Sequence, residues 1–334
     1  MSQAAVGSPF PLPASALERL VTSLLGRQFW ITACLMFVLG LTLPGHYGAL
    51  RPLVPIFLSG ILFFSCLRLS LQEMGQGVTV ATARTLAWTI PWRLALMPLV
   101  AGGITWLIAP AWAGGVMLLA ASPAAMSSVA FTDLYGGTRM FALLQMLGTT
   151  MLSPLTVPLL VAHVHLGQGA AAGPSGGHPL GARMLYMATV LGIPFVLAQA
   201  TRRAAPRLVA HNHHRLSLCA VFCSCTLVFI AIASNRAAWA SWHWSALVAP
   251  LVLSSALCLA GLGVGLLAMG WLLPRGEGIA FGCGEIWINN GLAVAFVTQF
   301  FPGNPYMLLP AILMQLPIIA VMSFYGWFVR FRHE

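Results

Sequence analysis

The chain has 334 residues, of which 59% are hydrophobic and only 7% charged. A soluble globular domain carries about 25% charged residues, so this composition excludes one and indicates an integral membrane protein with most of its mass in lipid. The formal net charge of +10 comes entirely from arginine. The arginines punctuate hydrophobic runs instead of gathering on one solvated face, so they read as topology signals and a nucleic-acid partner is excluded.

In chain order, residues 1–27 form a leader. Pro11 and Pro13 precede an amphipathic stretch at 15–25, SALERLVTSLL, which suits either a helix along the membrane surface or a short helical or disordered leader. Ten apolar runs able to span a bilayer, which takes about 20 residues with some tolerance, then follow. They lie at 29–43, 53–69, 86–108, 111–135, 140–164, 184–201, 216–234, 246–273, 279–301 and 306–328. The third is interrupted by Pro91, Arg93 and Pro98, the fourth around Pro123, and the ninth by glycines and polar residues. A Gly-rich loop at 167–181 divides the chain into 28–165 and 183–334, with 166–182 as the connection.

With the N-terminus inside, twelve arginines fall in cytoplasmic segments and three (Arg51, Arg183 and Arg236) in outer loops, with Arg93 left in the membrane. That bias places both termini in the cytoplasm. Five spans per half means that the halves insert with opposite topology. Interrupted segments at the same place in two such halves point to an inverted-repeat transporter with a binding site at the bilayer midplane.

The ninth run carries the densest chemistry. At 281–291 it reads FGCGEIWINNG, with Glu285, Asn289 and Asn290 inside an otherwise apolar segment. An ionisable side chain at membrane depth costs at least about 2.5–3.5 kcal/mol and normally faces a partner or a cavity. Irregular backbone is tolerated there only where it lines the protein interior. The stretch therefore reads as a broken helix at a binding site.

Four segments in order resemble the bile acid:sodium symporter family in its bacterial ten-helix form: MPL at 97–99, SPAAMSSVAFTDLYGGTRMFALL at 122–144, SPLTVP at 153–158 and NNGLA at 289–293. The resemblance covers residues 28–329. It implies an all-α fold with a panel domain (spans 1, 2, 6 and 7) and a core domain (spans 3–5 and 8–10). It also implies two discontinuous helices that cross in the core, and alternating access. The implied cargo is a small or amphipathic organic anion taken up with sodium, across a bacterial inner membrane.

Set against that pattern, this chain departs at the implied sodium ligands. The first site calls for a Ser-Asn pair after the break in span four, a Ser and a Thr in span five, and a Glu in span nine. Here Ser128 is followed by Val129, the span-five positions hold Ala142 and Met146, and the Glu position holds Gly284, with Glu285 one place later. The second site calls for two glutamines, and Arg93 and Ile288 stand there instead. Sodium needs about five or six hard oxygen ligands, as calcium and magnesium do. Two-site sodium coupling is therefore not expected, and protons or exchange remain open.

Arg93 offers a replacement. A guanidinium stays charged in any protein environment, so it can stand where a cation would bind, with Glu285 as the counter-charge. Losing either partner would leave a costly buried ion. The expectation is a pair tying span three to the break in span nine. The competing reading has Arg93 snorkelling to an interface beside Pro91 and Trp92.

Substrate contact is expected from Asn289, whose amide both donates and accepts, and from Asn290. A helix–helix hydrogen bond is the alternative for each. Ser127, Ser128 and Thr132 either line the crossover or bond to the preceding turn. Met126 stands where the family often has a hydroxyl, so a strongly polar contact is not expected there. Half-helix N-termini near 125–128 and 288–290 favour an anion through their free N–H groups. Asp133, beside Arg139, is either a surface carboxylate or a proton carrier.

The seven cysteines read as small packing residues, and His211, His213 and His214 as part of a basic loop near anionic lipid. Trp242, His243 and Trp244 read as an interfacial belt. No catalytic constellation, metal site or cofactor is expected. The functional expectation is a secondary carrier of an organic anion. A non-transporting receptor that keeps the crevice is one alternative. A carrier similar to the arsenite exporters of the same superfamily is another, although they use a cysteine near the position of Ser122.

Overall fold

The computed structural model describes residues 29–43, 47–67, 78–168, 179–234 and 247–331, together with 45, 69 and 75. The leader, most of the Gly-rich loop, and Trp242, His243 and Trp244 lie outside the described residues, as do the side chains of His213 and His214. Everything described is helix or connection. Seven of the described helices are long and apolar enough to cross a membrane, and the chain is an integral membrane protein.

The helices in order are α1 (Phe29–Thr42), α2 (Val54–Cys66), α3 (Val80–Ile108), α4 (Ala113–Ala121), α5 (Met126–Leu134), α6 (Arg139–Gln168) and α7 (Leu180–Ala204). They continue as α8 (Pro206–His211), α9 (His213–Ala233), α10 (Val248–Leu272), α11 (Arg275–Ile286), α12 (Asn290–Phe300), α13 (Pro305–Leu313) and α14 (Gln315–Phe331). Helices α1, α2, α7 and α9 pack on one another, with α9 against α1 and α2, and α7 against α2. The remaining long helices form a second group around the two interrupted pairs α4–α5 and α11–α12. The groups meet where α6 lies on α7 and where α12 lies on α2 and α9.

One element differs from the sequence reading. The third run is not interrupted at Pro91. It opens on a Thr79 N-cap whose hydroxyl accepts from Thr82 N, then runs through a π turn at Trp92–Leu96, closed by the Met97 N–H on the Trp92 carbonyl. The wider turn absorbs the bonds that Pro91 and Pro98 cannot donate and lets the helix continue. The last run, expected as one span, is a single 27-residue apolar stretch, Pro305–Phe331, with one turn residue, Met314, between α13 and α14. Pro317 there has no N–H to return to the Leu313 carbonyl, which is where the ladder changes register.

A close helix pair sets the height of the site. Helix α10 carries Gly261 and Gly265, and α11 carries Gly278 and Gly282, each four apart. A Cβ at Gly265 would lie 2.6 Å from the Gly282 Cα, and one at Gly261 would lie 2.7 Å from the Glu285 carbonyl oxygen. In lipid, where apolar burial gives no advantage between helices, small residues let backbones approach and so drive packing. Here they hold the C-terminal end of α11 against α10.

Candidate functional site

Both interrupted helices break over three or four residues. Pro123 stands in the first break, 122–125, and Trp287–Asn289 form the second. The breaks pair with each other as a single antiparallel bridge between Ala124 and Ile288. Ala125 N donates to the Trp287 carbonyl at 2.9 Å, and Asn289 N donates to the Pro123 carbonyl at 2.8 Å. Two more groups lock the crossing: the Thr149 hydroxyl accepts from Ala124 N at 3.3 Å, and the Phe131 and Trp287 rings lie 4.6 Å apart. Backbone donors freed by the breaks are thus satisfied inside the protein, as membrane depth requires.

Arg93 leaves the π turn of α3 and reaches this crossing. Its Nη1 lies 3.2 Å from Glu285 Oε2, and the two side chains are 1% and 0% exposed. The same nitrogen is 3.4 Å from the Glu285 carbonyl, while Nη2 donates to the Ser122 carbonyl at 3.1 Å. Ser122 caps the C-terminus of α4, and Glu285 lies in the last turn of α11. Carbonyls at helix C-termini lack intrahelical donors and carry the negative end of the dipole. A single guanidinium therefore occupies the cation-favouring ends of both half-helices and neutralises a carboxylate as well.

Other polar atoms surround the pair. Trp92 Nε1, Arg93 Nε, Glu285 Oε1 and both amide atoms of Gln145 are buried without a protein hydrogen bond. Gln145, on α6, presses on Gly284: a Cβ there would stand 3.0 Å from its Oε1. Ser122, Trp92 and Gln145 were not among the sequence candidates. Gln145 had a readable signal, a lone amide in an apolar span. The Ser122 carbonyl had none, because backbone acceptors leave no trace in composition.

The opposite ends of the half-helices begin at Met126 and Asn290. Asn289 caps α12, its Oδ1 accepting from Leu292 N at 3.2 Å, and is half-buried. Asn290 is buried and its Nδ2 donates to the Ala311 carbonyl of α13 at 3.3 Å. The Ser128 hydroxyl bonds back to the Ala125 carbonyl at 2.7 Å and Thr132 to Ser128 at 2.9 Å, so both hydroxyls serve their own helix. Ser127 is exposed and Met126 half-buried beside it. Asp133 Oδ2 meets Arg139 Nη1 at 3.5 Å, a pair with 41% and 64% of the respective side chains exposed. Asp133 is thus a surface-level carboxylate, away from the crossing.

A cavity of about 20 Å³ lies between α9 and the start of α12, lined by Leu227, Ala231, Asn290, Gly291, Ala311 and Gln315 among others. That is room for about one water. It sits where the two helix groups meet and has two side-chain amides on otherwise apolar walls.

The model of a family described as the sodium bile acid symporter family matches residues 55–242. The match takes in α4, α5 and the first break and stops short of Glu285, Asn289 and Asn290. No curated protein matches the chain.

Proposed function

The chain belongs to the sodium bile acid symporter family, and on that premise we propose that it carries a small or amphipathic organic anion by alternating access, with Arg93 standing in for a bound cation. In this reading the chain makes ten spans in two inverted five-span repeats, with both termini in the cytoplasm. The first group of helices is the panel and the second the core. The observation that carries the reading is the position of the guanidinium, on the C-terminal carbonyls of both α4 and α11 and on Glu285. In transporters built on broken helices, unwound carbonyls and half-helix C-termini coordinate the coupling cation.

The anion then belongs at the N-terminal ends of α5 and α12, where the dipoles are positive. Met126, Ser127, Ser128, Asn289 and Asn290 stand at those N-termini, whereas Thr132 lies farther along α5, bonded to the Ser128 carbonyl. Because the arginine cannot leave, its charge is constant through the cycle, and sodium has no role in loading. With Glu285 held by Arg93 and Asp133 paired at the surface, exchange of one anion for another, which needs no titrating carboxylate, is the coupling this reading favours.

Uptake of taurocholate into proteoliposomes tests the reading. The expected result is uptake that is unchanged when sodium is replaced by choline and lost in Arg93→Gln. Sodium-dependent uptake in the unaltered protein would overturn the stand-in role. Tight binding without uptake under any gradient would assign a receptor instead.

A further inference from the structure

Arg183 lies in the first turn of α7 and is 7% exposed. Its guanidinium stands over the Phe301 ring at 5.1 Å and the Phe300 ring at 5.8 Å. Its Nε is buried without a hydrogen-bond partner. Three residues on, and so on the same helix face, the Tyr186 ring meets Phe300 edge-on at 5.1 Å. The Tyr186 hydroxyl is also buried without a partner.

Among the described residues no acid stands near Arg183. Helix α7 packs on α2 and α6, and neither they nor α12 contains an acid. No aspartate or glutamate occurs anywhere from residue 134 to residue 276. Among the described residues the two ion pairs, Arg93–Glu285 and Arg139–Asp133, are elsewhere. A first-turn arginine is also opposed by the positive end of its own helix dipole. A permanently charged group is thus held largely out of water, against the local field and, among the described residues, with no acid beside it.

Ring contacts use the flat face of a guanidinium and leave its in-plane N–H groups free to fork a planar or tetrahedral oxyanion. The helix N-terminus adds positive potential. We propose that Arg183 and Tyr186 form an anion-binding site at the seam between α7 and the end of α12, and that it takes the carboxylate or sulfonate of an amphipathic organic molecule. Phe300 and Phe301 close the site in this structure, and separation of α7 from α12 opens it. The apolar body of the ligand then lies on the same two rings. The site deepens the carrier reading and rests on it only for the identity of the cargo.

The test uses the purified full chain with 2-naphthalenesulfonate and its neutral counterpart 2-naphthalenesulfonamide, and reads apparent affinity from thermal shifts followed by circular dichroism. The sulfonate is expected to bind the unaltered protein more tightly than the sulfonamide does. Arg183→Gln is expected to weaken sulfonate binding by about tenfold or more, and Tyr186→Phe by roughly two- to fivefold. The sulfonamide is expected to be unaffected by either change. Arg183→Lys, which keeps the charge and loses the fork, is expected to fall between the extremes.

Sulfonate affinity that is equal with and without the Arg183 guanidinium, including no binding in either, overturns the site. Should Arg183→Gln fail to fold, unchanged sulfonate affinity in both Arg183→Lys and Tyr186→Phe does the same. Intact sulfonate discrimination with no taurocholate uptake sinks the carrier reading and leaves the site. Uptake with binding indifferent to Arg183 does the reverse.

Discussion

Among the described residues two ion pairs of the same chemistry stand in opposite surroundings. Arg93–Glu285 is sealed at the helix crossing, whereas Arg139–Asp133 stands in the open at the end of α5. Distances differ little, 3.2 Å against 3.5 Å, so geometry alone does not separate them. Environment does. An exposed pair gains about 0–1 kcal/mol and is screened by salt. A buried one must repay the desolvation of both ions, and it does so only when further hydrogen bonds serve the remaining groups. At the crossing, two helix-end carbonyls provide that service for the guanidinium Nη atoms, while Arg93 Nε and Glu285 Oε1 keep no protein partner. The comparison teaches that Arg93 and Glu285 belong to one unit with the breaks themselves, while Arg139 and Asp133 belong to the surface.

The sharpest way to break the comparison is to remove one buried partner. Arg93→Met and Glu285→Met are each expected to lower stability by about 3–5 kcal/mol, because each leaves a lone buried charge. The double substitution is expected to sit much closer to the unaltered protein, so a double-mutant cycle in reversible unfolding will show strong non-additivity. Additive losses would remove the claim that the two act as one unit.

A change that touches neither ion sharpens the point. Gly261→Val would drive a side chain into the Glu285 carbonyl and shift the end of α11. Overpacking of this kind costs about 1–3 kcal/mol, and the expected signature is a lowered melting temperature together with weakened coupling in the Arg93–Glu285 cycle. Unchanged coupling would mean that the carbonyl contributes nothing to the pair. The smallest effect is expected at the surface. Asp133→Asn should alter stability by less than about 1 kcal/mol, with the difference fading at high ionic strength. A large, salt-insensitive loss there would erase the contrast.

Much of this was legible in the sequence for reasons that differ by residue. The breaks at 122–125 and 287–289 announced themselves through Pro123 and the Glu285–Asn290 cluster, because membrane depth punishes polar and irregular segments so heavily that each survivor is informative. Arg93 and Glu285 stood out for the same reason. The π turn at Trp92–Leu96 was not legible: Pro91 and Pro98 signal trouble in the ladder but do not say whether a helix breaks or widens. The Ser122 carbonyl and the ring faces over Arg183 were invisible, since both depend on which backbones and rings the fold brings together. For Asn289 and Asn290 the sequence offered two uses each, and the structure shows the bonds each makes within the protein, a helix cap and a link to α13.

The bridge between Ala124 and Ile288 has a mechanical consequence. Two hydrogen bonds, one in each direction, stitch the breaks together, and the guanidinium of Arg93 rivets α3 to both. Neither interrupted helix can tilt or slide without dragging its twin and α3 along. Relative movement of the two helix groups thus meets least resistance at the boundaries without such fasteners, where α6 lies on α7 and α12 rests on α2 and α9.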